Sequence, residues 1–236
     1  MIRLVDITEN LPDNNLFLAK IKANFSCYEK YDFCNTFLQK DESENTTAYI
    51  NILSSNATVY ICDNADKREI KDFLMFYKVK NIFCNKAIFS KEQGVVLKFN
   101  RQNSLNLSNG FDLQNHPDYQ AVYSLLKLEF SLPDYNEFVS DLSYRINRGV
   151  ARLISCKNGV IFTLWETENS AVISALAVKK SERGKSLGSK LLKSMIAQIV
   201  EKDVYIYCEK GIEEFYIKNG FIPTEEYFTG ELNYNE

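Results

Sequence analysis

Hydrophobic positions along this chain change their period several times, and each change marks an element. After a short apolar opening at Ile2–Val5, residues Asn14 to Lys30 place Leu16, Ala19, Ile21, Phe25 and Tyr28 at helical spacing. A polar stretch from Lys40 to Thr47 interrupts the pattern. Ala48–Leu53 and Thr58–Cys62, rich in β-branched and aromatic residues, then predict a hairpin across Ser54–Asn56. A helix starting at Asp66 carries Ile70, Phe73, Leu74 and Tyr77, and Asn81–Cys84 and Val95–Phe99 read as strands. From Asn100 to Asn115 the chain is dense in Asn and Ser, a turn-prone boundary. Beyond it, Tyr119–Phe130 and Tyr135–Ile146 predict two amphipathic helices broken at Leu132–Asp134. Ala151–Ser155, Val160–Trp165 and Ala171–Val178 predict an antiparallel meander. A helix with Leu187, Leu191, Leu192, Met195, Ile196, Ile199 and Val200 on one face follows, and then a strand at Asp203–Cys208. The expected fold class is α/β (α+β), in two domains, 1–112 and 113–236.

Composition narrows the class. The 236 residues are 45% hydrophobic and 25% charged, as in an ordinary globular protein. A net charge of -3 provides no basic footprint, so neither a nucleic-acid nor a membrane partner is expected. The start, Met1–Asp6, lacks a basic region followed by an apolar one, and no apolar run approaches the ~18 residues of a spanning helix. Cys27, Cys34, Cys62, Cys84, Cys156 and Cys208 are scattered, without a C-x-x-C pair, and His116 is the single histidine. That excludes a standard zinc module and speaks against a disulfide scaffold. Buried thiols in a reducing cytoplasm, with no metal, are expected. Glycine is uneven: Gly94 and Gly110 precede residue 148, and seven others follow it. The halves therefore do different jobs.

One segment carries chemistry. The strand ending at Val178 runs into Lys179–Ser189, which holds Arg183, Gly184, Lys185, Ser186 and Gly188, and a helix begins there. Strand, small-residue loop and helix start present unpaired N–H groups and a favourable dipole to an anion. The spacing is neither that of a P-loop nor that of a dinucleotide fingerprint.

Leu176-Ala177-Val178 followed by Arg183-Gly184-Lys185-Ser186-Leu187-Gly188 resembles the acyl-CoA pyrophosphate loop of the GNAT acyltransferase superfamily. Downstream, Phe215-Tyr216-Ile217-Lys218-Asn219-Gly220-Phe221 is similar to that family's closing helix and turn, and Asp141–Ile146 is similar to bacterial members. The likeness covers roughly residues 120–236, so 113–236 is read as a GNAT domain. Ser186 stands where a loop glycine is usual, and Glu209 where an Asn is common.

The resemblance implies transfer of an acetyl or other acyl group from acetyl-CoA to a small-molecule or peptide amine, with a homodimer left open. Leu176, Ala177 and Val178 would pair with the pantetheine arm. Arg183, Gly184, Lys185, Ser186, Leu187, Gly188 and Ser189 would hold the pyrophosphate. Tyr216 occupies the position of the acid that protonates the leaving thiolate. Glu166 and Glu168, two apart at a strand end, are candidates for the base that deprotonates the amine, and a solvated hairpin edge is the alternative. Cys208 reads as a core thiol rather than a covalent relay, and His116 as a residue at a helix start.

The first half carries no such loop. Its hairpin, helix and strand repeat the order found in the second half, with Ala65–Glu69 where the glycine loop would be. Two readings stay open: a degenerate GNAT-like copy without a cofactor site, or a generic α/β appendage. Function likewise keeps two alternatives, an N-acetyltransferase or a non-catalytic acyl-CoA-binding sensor.

Overall fold

A computed structural model of the chain describes residues 1–6, 9–88, 92–103, 110–113 and 117–232. It falls into two compact units. One comprises Met1–Leu97, Tyr207–Glu213 and Pro223–Glu236, and the other Lys98–Ile206 and Glu214–Ile222. The first division lies at Leu97/Lys98, and two late segments return to the first unit. Main-chain pairing is the reason, because a strand near the C-terminus adds to the first unit's sheet.

The first unit contains β1 (Ile2–Leu4), α1 (Leu16–Tyr28), β2 (Cys34–Lys40), β3 (Thr46–Leu53), β4 (Asn56–Ile61), α2 (Lys67–Phe76) and β5 (Asn81–Cys84). It also takes β6 (Glu92–Phe99) up to Leu97 and β11 (Phe221–Glu231) from Pro223. Its strand order is β1-β2-β3-β4-β5-β11-β6. β3 and β4 form the expected hairpin, with Ile50 opposite Val59 and Leu53 opposite Asn56. β4 and β5 run parallel from Asn56↔Asn81 to Val59↔Cys84, and β11 pairs antiparallel with β5 from Phe228↔Cys84 to Glu231↔Asn81. Ile50, Val59, Ile61, Ile70 and Leu74 are buried together, which joins the hairpin to α2. Each such side chain contributes roughly 1.5–3 kcal/mol of transfer free energy.

Two strands of this unit escape the periodicity. β2 has both faces covered, so Cys34, Thr36, Phe37, Leu38 and Gln39 are all buried and no alternation shows. Its polar members find partners inside. Asn51 Nδ2 donates to Thr36 Oγ1 at 3.0 Å, and Gln39 Nε2 donates to Glu69 Oε2 at 2.7 Å. β11 contains Pro223, Gly230 and three glutamates, residues depleted in strands.

The second unit contains α3 (Tyr119–Leu126), α4 (Tyr135–Asn147), β7 (Arg152–Cys156), β8 (Gly159–Glu166), β9 (Ser170–Val178) and α5 (Leu187–Gln198). β10 (Asp203–Glu209) contributes as far as Ile206, and α6 (Glu213–Lys218) from Glu214. The order here is β10-β9-β8-β7, with the predicted antiparallel meander followed by one parallel pair. Val160 and Phe162 of β8 pack with Val122, Leu126, Phe138 and Leu142 of α3 and α4. Gly159, on the alternate face, lies under α5: a Cβ there would come within 2.7 Å of Leu191 Cδ1. Leu191, Leu192, Met195 and Ile196 of α5 are buried as its spacing predicts. No described helix is long and apolar enough to cross a membrane.

Candidate active site

The parallel ladder between β9 and β10 has four pairs, from Ser170↔Asp203 to Ile173↔Ile206, and stops there. The antiparallel ladder with β8 continues to Val178↔Gly159, with a local irregularity: Phe162 pairs with Ala175, Thr163 with Ile173 and Trp165 with Val172, so Ser174 and Leu164 are both passed over and the register is the same on either side. The irregularity falls where the β10 ladder ends, so Leu176, Ala177 and Val178 lie past both.

After β9 the chain passes through a single 3₁₀ turn at Lys180–Glu182 and turns into α5 through two left-handed residues, Gly184 (φ 77°) and Ser186 (φ 62°). The left-handed conformation is free to glycine and costs other residues about 1–2 kcal/mol, so Ser186 holds a position that glycine would fill without strain. It is the N-cap of α5, yet its side chain makes no capping bond. The contrast within the molecule is consistent. Asn15, Asp66, Asp118 and Asp134 each cap α1, α2, α3 and α4 by accepting from first-turn N–H groups. At α5 those donors are left to another acceptor, on the positive end of the helix dipole.

The loop's cations are tied to the fold. Arg183 Nη2 lies 2.7 Å from Glu129 Oε1, and its Nε donates to the Val178 carbonyl at 3.2 Å. That guanidinium holds the Glu129 carboxyl below its usual range. Lys185 Nζ is 3.3 Å from Glu182 Oε1. Arg183 therefore positions the loop as well as charging it. A groove of about 760 Å³ runs along Ala121 and Leu125 of α3, and Leu128 just beyond it, to Lys179, the first residue of the loop.

α6 meets the start of α5 through Phe215, since a Cβ on Gly188 would stand 3.4 Å from Phe215 Cζ. Tyr216 follows it, half-buried, with its ring edge-on to Phe215 at 5.0 Å and to Phe221 at 6.0 Å. Gly220 (φ 93°) ends the turn, and Asn219 Nδ2 donates to the Phe215 carbonyl at 2.7 Å.

The two glutamates do not share a face. β8 ends at Glu166, which is buried, while Glu168 is exposed in the turn beyond it. Glu166 accepts from Arg152 Nε at 2.9 Å, Lys202 Nζ at 3.3 Å and Thr163 Oγ1 at 2.7 Å. It lies opposite Ala171, five residues before Leu176 and roughly 16 Å away along β9. A carboxylate with three donors and no exposure is a structural clamp, and the expectation that it faces a cleft fails on that burial. Cys208 is buried too, its thiol pushed up to about 11 by burial and by Glu213 and Glu209. That is the reverse of an activated nucleophile. His116 lies outside the described residues. Among the described residues, no group of His, Cys, Asp or Glu is arranged to hold a metal.

Sequence reasoning missed Ser174 and Glu129. A local ladder irregularity leaves no mark on an apolar strand, and an ion pair between distant segments has no local signature.

A strand that runs on past its parallel ladder, a left-handed loop and a helix start without a side-chain cap mark this part of the α/β fold. Residues 122–231 match the family model described as an acetyltransferase (GNAT) domain, so this second half of the chain carries a GNAT domain. No curated protein matches the chain by sequence. Among solved structures it is similar to a GNAT-family acetyltransferase from Colwellia psychrerythraea (12% identity, 99% of this chain and 100% of that one, TM-score 0.57). A GCN5-related N-acetyltransferase from Sphaerobacter thermophilus matches over 82% of this chain and 79% of its own, at 12% identity and TM-score 0.56. The tandem GNAT protein from the clavulanic acid biosynthesis pathway matches over 86% and 84%, at 12% identity and TM-score 0.53. At such identities the likeness is one of fold.

Proposed function

We propose that the chain is an N-acyltransferase that moves an acetyl or related acyl group from CoA to the nitrogen of an amine. The observation that carries this is the start of α5, the one among α1–α5 whose N-cap side chain makes no capping bond. The residues present fit the ligand. Gly184, Ser186, Gly188 and Ser189 are small, so phosphate oxygens can approach the backbone N–H groups of the first turn. Leu176 to Val178 offer main-chain groups past the end of the β10 ladder, suited to pairing with the amides of an extended pantetheine arm. Arg183 and Lys185 lie in the loop, each ion-paired to a glutamate, Glu129 and Glu182.

When bound, acyl-CoA supplies a thioester carbonyl open to attack. The chain's own part is to orient that carbonyl and to manage protons. Tyr216 Oη delivers a proton to the departing sulfur. The amine must arrive, or become, uncharged. Glu166 is engaged by three donors and Glu168 stands in the turn before β9, farther still from Leu176, so neither is assigned that task and the amine enters in its uncharged form. The acceptor is a small molecule or a peptide amine.

The engagement of Glu166 also favours a second reading, a module that binds acyl-CoA without turning it over. Calorimetry with CoA, together with thiol release from acetyl-CoA over a panel of amines, separates the two. Binding with amine-dependent release supports the enzyme, and binding without release under any amine supports the sensor. Failure of CoA to bind overturns both.

A further inference from the structure

The first unit repeats the connectivity of the second. In each, a hairpin (β3–β4 or β8–β9) leads to a helix (α2 or α5). A strand (β5 or β10) then pairs parallel with the hairpin's second strand over four residue pairs. In the second unit β9 continues past that ladder for five residues. In the first, β4 continues through Tyr60 and Ile61, and there the two differ.

Past its ladder, β4 is met by a side chain. Asn85 Oδ1 accepts from the Ile61 N–H at 2.8 Å, and Asn85 Nδ2 donates to the Ile61 carbonyl at 3.0 Å. One carboxamide thus satisfies both main-chain groups of one strand residue, as an amide of an extended ligand would. The helix start is closed as well. Asp66 Oδ1 accepts from the N–H groups of Arg68 and Glu69 at 2.9 and 3.0 Å, so a carboxylate already sits on the positive end of α2. The cavity beside Asn85, about 450 Å³, is lined by Asp63, Glu225 and Glu226 against a single lysine, Lys86. Asp63 is paired with Lys86 at 3.2 Å and Glu226 with Lys210 at 3.1 Å, which leaves Glu225 as the excess negative charge of the wall. Such surroundings repel a pyrophosphate.

We propose that the first unit is a second copy of the acyl-CoA-binding fold whose slot is shut by its own side chains. Asn85 stands where a pantetheine amide would pair, and Asp66 stands where the pyrophosphate would lie. The chain consequently holds one acyl-CoA, in the second unit. This inference rests on the acyl-CoA reading above.

Hydrogen exchange of the full chain with and without CoA, alongside a calorimetric titration, tests it. The expected result is one equivalent of CoA per chain, with slowed exchange at Leu187–Ser189 and no change across Ile61–Glu69. Two equivalents, or slowed exchange across Ile61–Glu69, would overturn the closed slot while leaving the acyl-CoA reading intact. No binding at all would overturn that reading and this inference with it. As a second measurement, Asn85→Ala should speed exchange of the Ile61 amide by about tenfold and leave the stoichiometry at one. An Ile61 amide indifferent to the substitution would remove Asn85 from the role.

Discussion

Arg152 Nε stands 2.9 Å from Glu166 Oε2, and the carboxylate it meets has no solvent exposure. Arg152 also donates to the Gln198 carbonyl at 2.7 Å, so the pair links β7, β8 and the end of α5. Removing one partner of a buried pair strands the other. Arg152 and Lys202 keep partial access to water, so Glu166→Ala should cost about 2–4 kcal/mol. In thermal unfolding that is a Tm lower by roughly 5–15 °C, with turnover per folded molecule unchanged. A hundredfold loss of turnover at an unaltered Tm would instead make Glu166 the base.

Ser186 and Gly188 separate the loop's shape from its charge. Ser186→Gly relieves a left-handed serine and should raise stability by about 1 kcal/mol while holding CoA affinity within about threefold. Gly188→Asp places a carboxylate in the first turn of α5, where it favours the helix but competes with phosphate. CoA affinity should fall at least about tenfold with no loss of Tm. Calorimetry and differential scanning read both, and equal CoA affinity in Gly188→Asp would rule out the helix start as the anion site.

Tyr216→Phe keeps the ring against Phe215 and Phe221 and deletes only the hydroxyl. If Tyr216 is the acid, kcat falls by roughly a hundredfold or more, and CoA binding is unchanged. Turnover equal to that of the parent chain would end the assignment.

The buried thiols set a pH limit. Burial pushes the Cys84 thiol up to about 11, above the value near 9 expected once the chain is unfolded. The unfolded chain then releases its proton first as pH rises. Stability from this group is therefore whole below pH 9 and is lost progressively between pH 9 and 11, by roughly 2–3 kcal/mol. Denaturant titrations at pH 8 and pH 10.5 check this, and Cys84→Ala should flatten the difference. At pH 8 both Cys84 and Cys208 should resist alkylation in the native state.

Much of the fold was legible because local rules agree with global ones in most elements. The helix from Asp66, the β3–β4 and β8–β9 hairpins and the face of α5 all follow from period, turn residues and caps. The loop from Arg183 to Gly188 was legible for the same reason: left-handed backbone and bare helix starts demand small residues, and small residues are visible in a sequence. What the sequence alone determined is thus the order of elements, the place of the glycine-bearing loop and the family of the second half. The tertiary structure decided the rest. β2 is hidden because both its faces are buried, and β11 because pairing with β5 overrides its poor strand composition. Glu166 and Glu168 look alike in sequence, yet one is sealed among Arg152, Lys202 and Thr163 and the other is in water. The environment of a carboxylate is set by residues far away in the chain, and only folding brings them together.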